Sequence, residues 1–393
     1  MGIEQIEQIE RIGVIGAGVM GSEIAQVAAA AGCTTVMVDI DDAAVIRGMA
    51  HIRSIGERRV ARGRLTQEQA DEITGRVGVS VSLDALGDCD LIIEAGPEVL
   101  ELKLDLWRAI DAVAKSSALL ASNTSGLSIT TLARVTRRPE QVMGMHFFNP
   151  ASVMRLVEVI RGADTADATI DAGAEFATRV GKAPVRVTEC PGFLVNRILV
   201  RALAEAYRHA DELGADRGSV DAAVVAAGPA PMGPFALGDL IGLDTTLHVQ
   251  RDLLAAYDDR FAAGTSLAAQ VDAGRLGQKS GAGFVAGSEP GAGDDHGAAV
   301  AERYYSGAFD EACRCLEEGI GALPDIDTAM QLGTGWGMGP LAWADRRGLA
   351  ALADDLTRLA ASAGERFAPR PPLTSRVSAD DTFTDTDTED PTT

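Results

Sequence analysis

Two groups of residues in this chain combine types and spacings that can do chemistry. Gly16-Ala17-Gly18-Val19-Met20-Gly21 fits G-x-G-x-x-G. In that turn the first glycine permits a tight bend, the second lets backbone approach a pyrophosphate, and the third lets a helix pack on a strand. Phosphate then sits at a helix N-terminus, where free N–H groups and the dipole favour negative charge. Asp39 ends the next strand-like run, placed to hydrogen-bond a ribose 2′-OH. A carboxylate there repels a 2′-phosphate, so the expected cofactor is NAD rather than NADP. The second group is His146 with Glu158, twelve residues on. Imidazole can take a hydroxyl proton near neutral pH. A spacing of twelve allows a turn and an adjacent return strand, which would bring the carboxylate to the ring. There it would fix the tautomer and stabilise the imidazolium. A lone histidine is more often structural, but of the five here only His146 follows a strand at the edge where such sheets bind ligands.

Positioning these groups needs a sheet, and the apolar runs supply one. RIGVI, TTVMV, RVGVSVS, DLIIEA, ALLAS, QVMGMHFF, RLVEVI and APVRVTE alternate with helical stretches. Alternation of that kind predicts a mostly parallel sheet with helices on both faces. Together with the glycine turn, it predicts a Rossmann-type α/β domain over residues 1–189. Two helical stretches, 41–62 and 66–76, are inserted after the second strand. From residue 190 the pattern is helical, predicting an all-α domain that runs to 286. SVDAAVVAAGPAPMGPFALGDLIGL then recurs as DIDTAMQLGTGWGMGPLAWADRRGL at a constant offset of 106. The helical domain is therefore duplicated, with a linker over 287–299, copy two over 300–370 and a disordered acidic tail over 371–393.

The chain has 393 residues, 46% of them apolar, and a net charge of −22. That field disfavours nucleic acid and anionic membranes as partners. No run approaches the roughly 18 apolar residues of a spanning helix. The start, MGIEQIEQIE, carries acids where a signal peptide carries bases, so the expected location is the cytoplasm. Five cysteines without a C-x-x-C pair read as reduced thiols. No metal is expected, since no His/Cys/carboxylate cluster has ligand spacing.

Several longer motifs carry a family resemblance: GAGVMGSEIA, EAGPE with Lys103, SNTSGLSIT, GMHFFNPASVMRLVEVI, PGFLVNRIL, GPAPMGPFALGDLIGLD and LGQKSGAGF. The sequence resembles the 3-hydroxyacyl-CoA dehydrogenases over about residues 10–285, and the second helical copy covers most of 300–350. The resemblance implies NAD-dependent, reversible oxidation of a 3-hydroxyacyl-CoA to the 3-oxoacyl-CoA, with His146 and Glu158 as a catalytic dyad. It implies that Ser125, Asn149 and Asn196 are hydrogen-bond donors at the reacting oxygen and the thioester carbonyl. Glu98, Lys103, Asn123, Ser125, Asn149 and Lys279 correspond to cofactor-side positions. From the residues alone, Asn123-Thr124-Ser125 could equally cap a helix, Asn149-Pro150 could be a turn, and Lys103 could be an exposed helix residue. Arg58 and Arg62 stand where lysines often meet CoA phosphate, and Arg62 is a candidate substrate contact. Ile55 and Gly96 depart from the family pattern, as does Glu302, which stands where the second copy would repeat Asn196. A substrate held on an acyl carrier protein and an inactive cofactor-binding homologue are the rival readings. In the family, one helical domain packs on the same domain of a second subunit. Here the second copy is expected to make that pairing within the chain, with a homodimer through other faces possible.

Overall fold

The computed structural model describes residues 9–286 and 296–384. It divides into two compact units, Met1–Glu189 and Cys190–Thr393.

In the first unit β1 (Arg11–Ile15) leads into α1 (Val19–Ala30), followed by β2 (Thr34–Val38) and the inserted helices α2 (Asp42–Ala61) and α3 (Gln67–Gly75). Local chemistry starts both insert helices. Asp41 accepts a hydrogen bond from Ala44 N at 2.7 Å, and Thr66 with Gln69 forms a reciprocal capping box. Next come β3 (Val77–Ser80), β4 (Leu91–Glu94), α4 (Leu100–Val113), β5 (Leu119–Ser122), α5 (Ile129–Ala133) and β6 (Val142–Phe147). The unit closes with β7 (Leu156–Arg161), α6 (Asp167–Arg179) and β8 (Ala183–Thr188). The eight strands lie in the order β3-β2-β1-β4-β5-β6-β7-β8, all pairs parallel except β6 with β7. β4 and β6 are buried along their whole length, as central strands covered on both faces must be. The order turns back between β1 and β4. At such a switch point the C-terminal strand ends open a crevice for ligand.

The second unit is helical: α7 (Val195–Leu213), α8 (Arg217–Ala227), α9 (Pro234–Ile241), α10 (Leu243–Ala256), α11 (Ser266–Asp272), α12 (His296–Glu317), α13 (Leu323–Thr334), α14 (Pro340–Arg347), α15 (Leu349–Ala363) and α16 (Pro371–Ala379). The helices α8, α9 and α10 begin 106 residues before α13, α14 and α15. The repeat extends to side-chain hydrogen bonds. Asp221 accepts from Phe235 N and Ala236 N at the start of α9, and Asp327 accepts from Leu341 N and Ala342 N at the start of α14. α7 packs on α12, bringing the copies together through matched ion pairs. Arg260 Nε lies 2.8 Å from Glu311, and its counterpart Arg366 Nε lies 2.6 Å from Glu205. Arg197 pairs with Glu318 at 2.6 Å, and Arg303 with Glu212 at 2.9 Å.

The expected boundaries of the second copy need correction. Residues 296–299, expected in the linker, are the first turn of α12, while 287–295 lie outside the described residues. Residues 371–384, expected to be disordered, form α16 and a closing segment. Two apolar anchors suffice for this: Leu373 and Phe383 are buried, and Asp345 accepts hydrogen bonds from Phe383 N and Thr384 N. Asp239, 106 residues before Asp345, does the same for Phe284 N, Val285 N and Ala286 N in copy one. The remaining tail, 385–393, lies outside the described residues.

Candidate active site

The glycine turn has the shape its residue types require. Gly16 has φ +99°, and a Cβ there would lie 2.5 Å from Ala95 O; one on Gly21 would lie 1.9 Å from Gly16 O. At Gly18 a Cβ would meet nothing within 4 Å, so this glycine faces open space. α1 begins just beyond, with no side-chain cap and no acid in its first turn. Its first N–H groups are thus not satisfied by the chain's own side chains, as an anion-binding helix start requires. Asp39 accepts from Ala17 N at 2.6 Å and from Ile40 N at 2.7 Å, placing the carboxylate beside the turn. An open glycine, an uncapped helix start and this carboxylate fit a dinucleotide.

At the ends of β4 and β5 lies a buried polar cluster. Glu94 is fully buried and accepts from Gly96 N and Lys103 Nζ, both at 2.6 Å, and from Ser122 Oγ at 2.7 Å. Four-carbon Lys103 is 1% exposed, so α4 turns its ammonium inward, not to solvent. That ammonium also lies 3.3 Å from Glu98. Glu98, itself exposed, accepts from the Thr124 hydroxyl and from Ser125 N at 3.0 Å. A chain of contacts therefore runs from Glu94 through Lys103 and Glu98 to the backbone of Ser125. Gly96 belongs to the same cluster, since a Cβ there would come 3.2 Å from Glu94 Oε1.

One strand further, His146 is the cross-strand partner of Glu158 in the antiparallel pair β6–β7. Residues directly opposite on such a pair share a face, and His146 Nδ1 donates to Glu158 Oε2 at 2.7 Å. Glu158 is fully buried and His146 is 6% exposed, so the hydrogen bond sits in a low-dielectric surround that strengthens it. The His146 ring also packs at 4.6 Å on Phe148. Asn123 Oδ1 accepts from Phe147 N at 2.9 Å, tying the end of β5 to the residue after His146. Lys182, just before β8, donates to the carbonyls of Ala151 and Met154 in the β6–β7 connection. Burial, then the charge of Arg59, pushes its ammonium down to about 8.

Asn149 and Ser125 are exposed in the loops after β6 and β5, on the same sheet edge as His146. Arg62 ends α2 and is exposed, while Ile55 is buried. In the second unit Asn196 lies in the first turn of α7, and Lys279 forms an ion pair with Asp244. Sequence pattern alone does not single out Glu94. The available signal was an acid closing the otherwise apolar strand LIIE.

Family models match nearly the whole chain. The 3-hydroxyacyl-CoA dehydrogenase NAD-binding domain matches residues 11–190. The C-terminal domain of the same family matches twice, over 192–287 and 300–389. The chain belongs to the 3-hydroxyacyl-CoA dehydrogenase family. It is therefore an NAD-dependent oxidoreductase acting on CH–OH. Among its relatives is a 3-hydroxybutyryl-CoA dehydrogenase of Bradyrhizobium diazoefficiens, 41% identical over 69% of this chain and 93% of the relative. The fatty acid oxidation complex subunit alpha of Idiomarina loihiensis is 36% identical over 82% of this chain and 48% of the relative. The crystal structure of a 3-hydroxybutyryl-CoA dehydrogenase from Escherichia coli K12 superposes with a TM-score of 0.89 at 30% identity, covering 95% of this chain and 99% of that one. Among the described residues of this dehydrogenase no helix is long and apolar enough to cross a membrane, and no group of three or more His, Cys, Asp or Glu could hold a metal ion.

Proposed function

We propose that this dehydrogenase reversibly oxidises a 3-hydroxyacyl-CoA to the 3-oxoacyl-CoA, with His146 as the base and Glu158 as its electrostatic partner. The single observation that carries the assignment is the buried 2.7 Å contact between His146 Nδ1 and Glu158 Oε2. It leaves Nε2 as the ring nitrogen that accepts a proton from the substrate 3-hydroxyl. As the ring becomes an imidazolium, the Glu158 carboxylate stabilises the new charge, and in the reverse direction Nε2 returns the proton. When bound, NAD supplies the hydride acceptor. The glycine turn (Gly16, Ala17, Gly18, Val19, Met20, Gly21) and Asp39 would hold its pyrophosphate and ribose, while Glu98 and Lys103 fix the loop presenting Ser125.

Ser125 and Asn149 are proposed donors to the substrate oxygens, since both stand on the sheet edge that carries His146. Asn123 is proposed to act by fixing that edge. Asn196 and Lys279 remain proposals carried by their motifs, and Arg62 by its place at the exposed end of the α2 insert. A CoA thioester is favoured over a carrier-protein thioester by the relatives' printed activities. Copy two is proposed to stand in for the second subunit's domain, on the strength of the matched ion pairs between α7 and α12 and the segments that follow. Substituting His146→Gln should lower turnover by about 10²–10⁴-fold, the usual worth of a general base. NADH binding, read by fluorescence titration, should be unchanged. A fall in turnover below tenfold would show that another group takes the proton.

A further inference from the structure

The ion pairs between the helical copies are two-fold symmetric, yet two buried positions at the same crossing break that symmetry. Position 201 on α7 is arginine, and its counterpart 106 residues on is Gly307. Position 204 is alanine, and its counterpart is Asp310. Arg201 is fully buried, 2.8 Å from Glu205 and 5.3 Å from the centre of the Phe367 ring in copy two. A Cβ on Gly307 would come 3.3 Å from both Arg201 Nη1 and Glu205 Cγ, so copy two has no side chain where Arg201 lies. Asp310 is 2% exposed and pairs with Arg314 at 2.9 Å. Burial raises its carboxyl, while the charges of Arg314 and Arg201 draw it back.

At these positions copy one contributes an extra buried cation and copy two an extra buried anion. If copy one met copy one of another chain, the remaining ionic partners would all be present. Arg260 would find a Glu205 in place of Glu311, and Arg197 a Glu212 in place of Glu318. Two Arg201 side chains would, however, converge on the space that Gly307 leaves, with no Asp310 nearby. A pair of second copies would bring two Asp310 carboxylates and no Arg201. Each Arg201 would keep its own Glu205 and each Asp310 its own Arg314. The crossing would nonetheless carry a buried surplus of one sign, which is costly, and specificity is commonly built by penalising the wrong partner. We propose that Arg201 with Gly307, and Ala204 with Asp310, make the α7 face specific for the second copy and close it to the matching face of another chain.

The full-length chain can be made to imitate both wrong pairings. Gly307→Arg with Asp310→Ala gives copy two the residues of copy one, and Arg201→Gly with Ala204→Asp does the reverse. In each, hydrogen exchange of the α7 and α12 amides should accelerate at least tenfold over the parent, with NADH binding by the first unit as an internal control for folding. All four substitutions together exchange the charges between the copies and should return exchange rates to within threefold of the parent. Imitations that exchange like the parent would overturn the proposal. So would a fourfold variant as unprotected as either imitation.

Discussion

Glu158→Gln isolates what the carboxylate does for His146. The two side chains are nearly the same size, so packing among the fully buried neighbours of β6 and β7 is kept and the loss falls on charge. In the proposed reaction the carboxylate meets a neutral ring before proton transfer. Afterwards it meets an imidazolium at 2.7 Å. A hydrogen bond to a charged group contributes about 1.5–3 kcal/mol, roughly twice a neutral one. A Coulomb figure at an effective dielectric of about 20 is of the same order, about 4 kcal/mol for unit charges 4 Å apart. A loss of about 2–3 kcal/mol confined to the charged state lowers kcat roughly 30- to 160-fold. The assay is steady-state NADH oxidation with acetoacetyl-CoA, with NADH affinity measured separately. The double variant His146→Gln/Glu158→Gln should be no slower than His146→Gln alone, because Glu158 acts through the ring. A fall of less than threefold for Glu158→Gln, or additive losses in the double variant, would refute the electrostatic role.

Asp39→Ser should weaken NADH binding and abolish discrimination against NADPH, which direct titration of both cofactors measures; a parent protein preferring NADPH would contradict the reading of Asp39. Phe383→Ala should cost about 3 kcal/mol of unfolding free energy in urea, the scale of a buried phenylalanine, whereas a disordered tail would give no change. Burial pushes the Asp221 carboxyl up to about 6 against the hydrogen bonds from Phe235 N and Ala236 N. An acid whose folded pKa is raised loses its stabilising contribution as pH rises from its unfolded value near 4 through about 6. The stability of the parent relative to Asp221→Asn should therefore decline across that window and stay level above it.

The features legible in the sequence are those set by local pattern. The glycine turn is six consecutive residues, and the strand runs announce the sheet. His146 and Glu158 are read as neighbours because a turn of suitable length separates two strands, and the β6–β7 register places them opposite one another. The duplication is visible because Asp221 and Asp327 keep their spacing to the helix starts they cap. The polar cluster was not legible, since it depends on which face of α4 turns inward. Lys103 looks like any surface lysine until Glu94, nine residues earlier and at the end of a strand, is seen to neutralise it. The closing segment is illegible for a related reason. A stretch of Thr, Ser and Asp reads as solvated, and its order rests on Phe383 and on an aspartate 38 residues away.

Joining the two helical copies in one chain makes their association independent of dilution. Between separate subunits, such a face would be filled according to protein concentration and would empty as the solution fell below the dissociation constant. Residues 287–295 connect the two copies here, and a short covalent connection holds a partner at an effective concentration of about a millimolar, whatever the bulk value. With copy two in the place of a second subunit's domain, as proposed, the α7–α12 crossing should stay formed at nanomolar protein, where a micromolar intersubunit contact would separate. Activity per chain should accordingly hold constant down an enzyme dilution series.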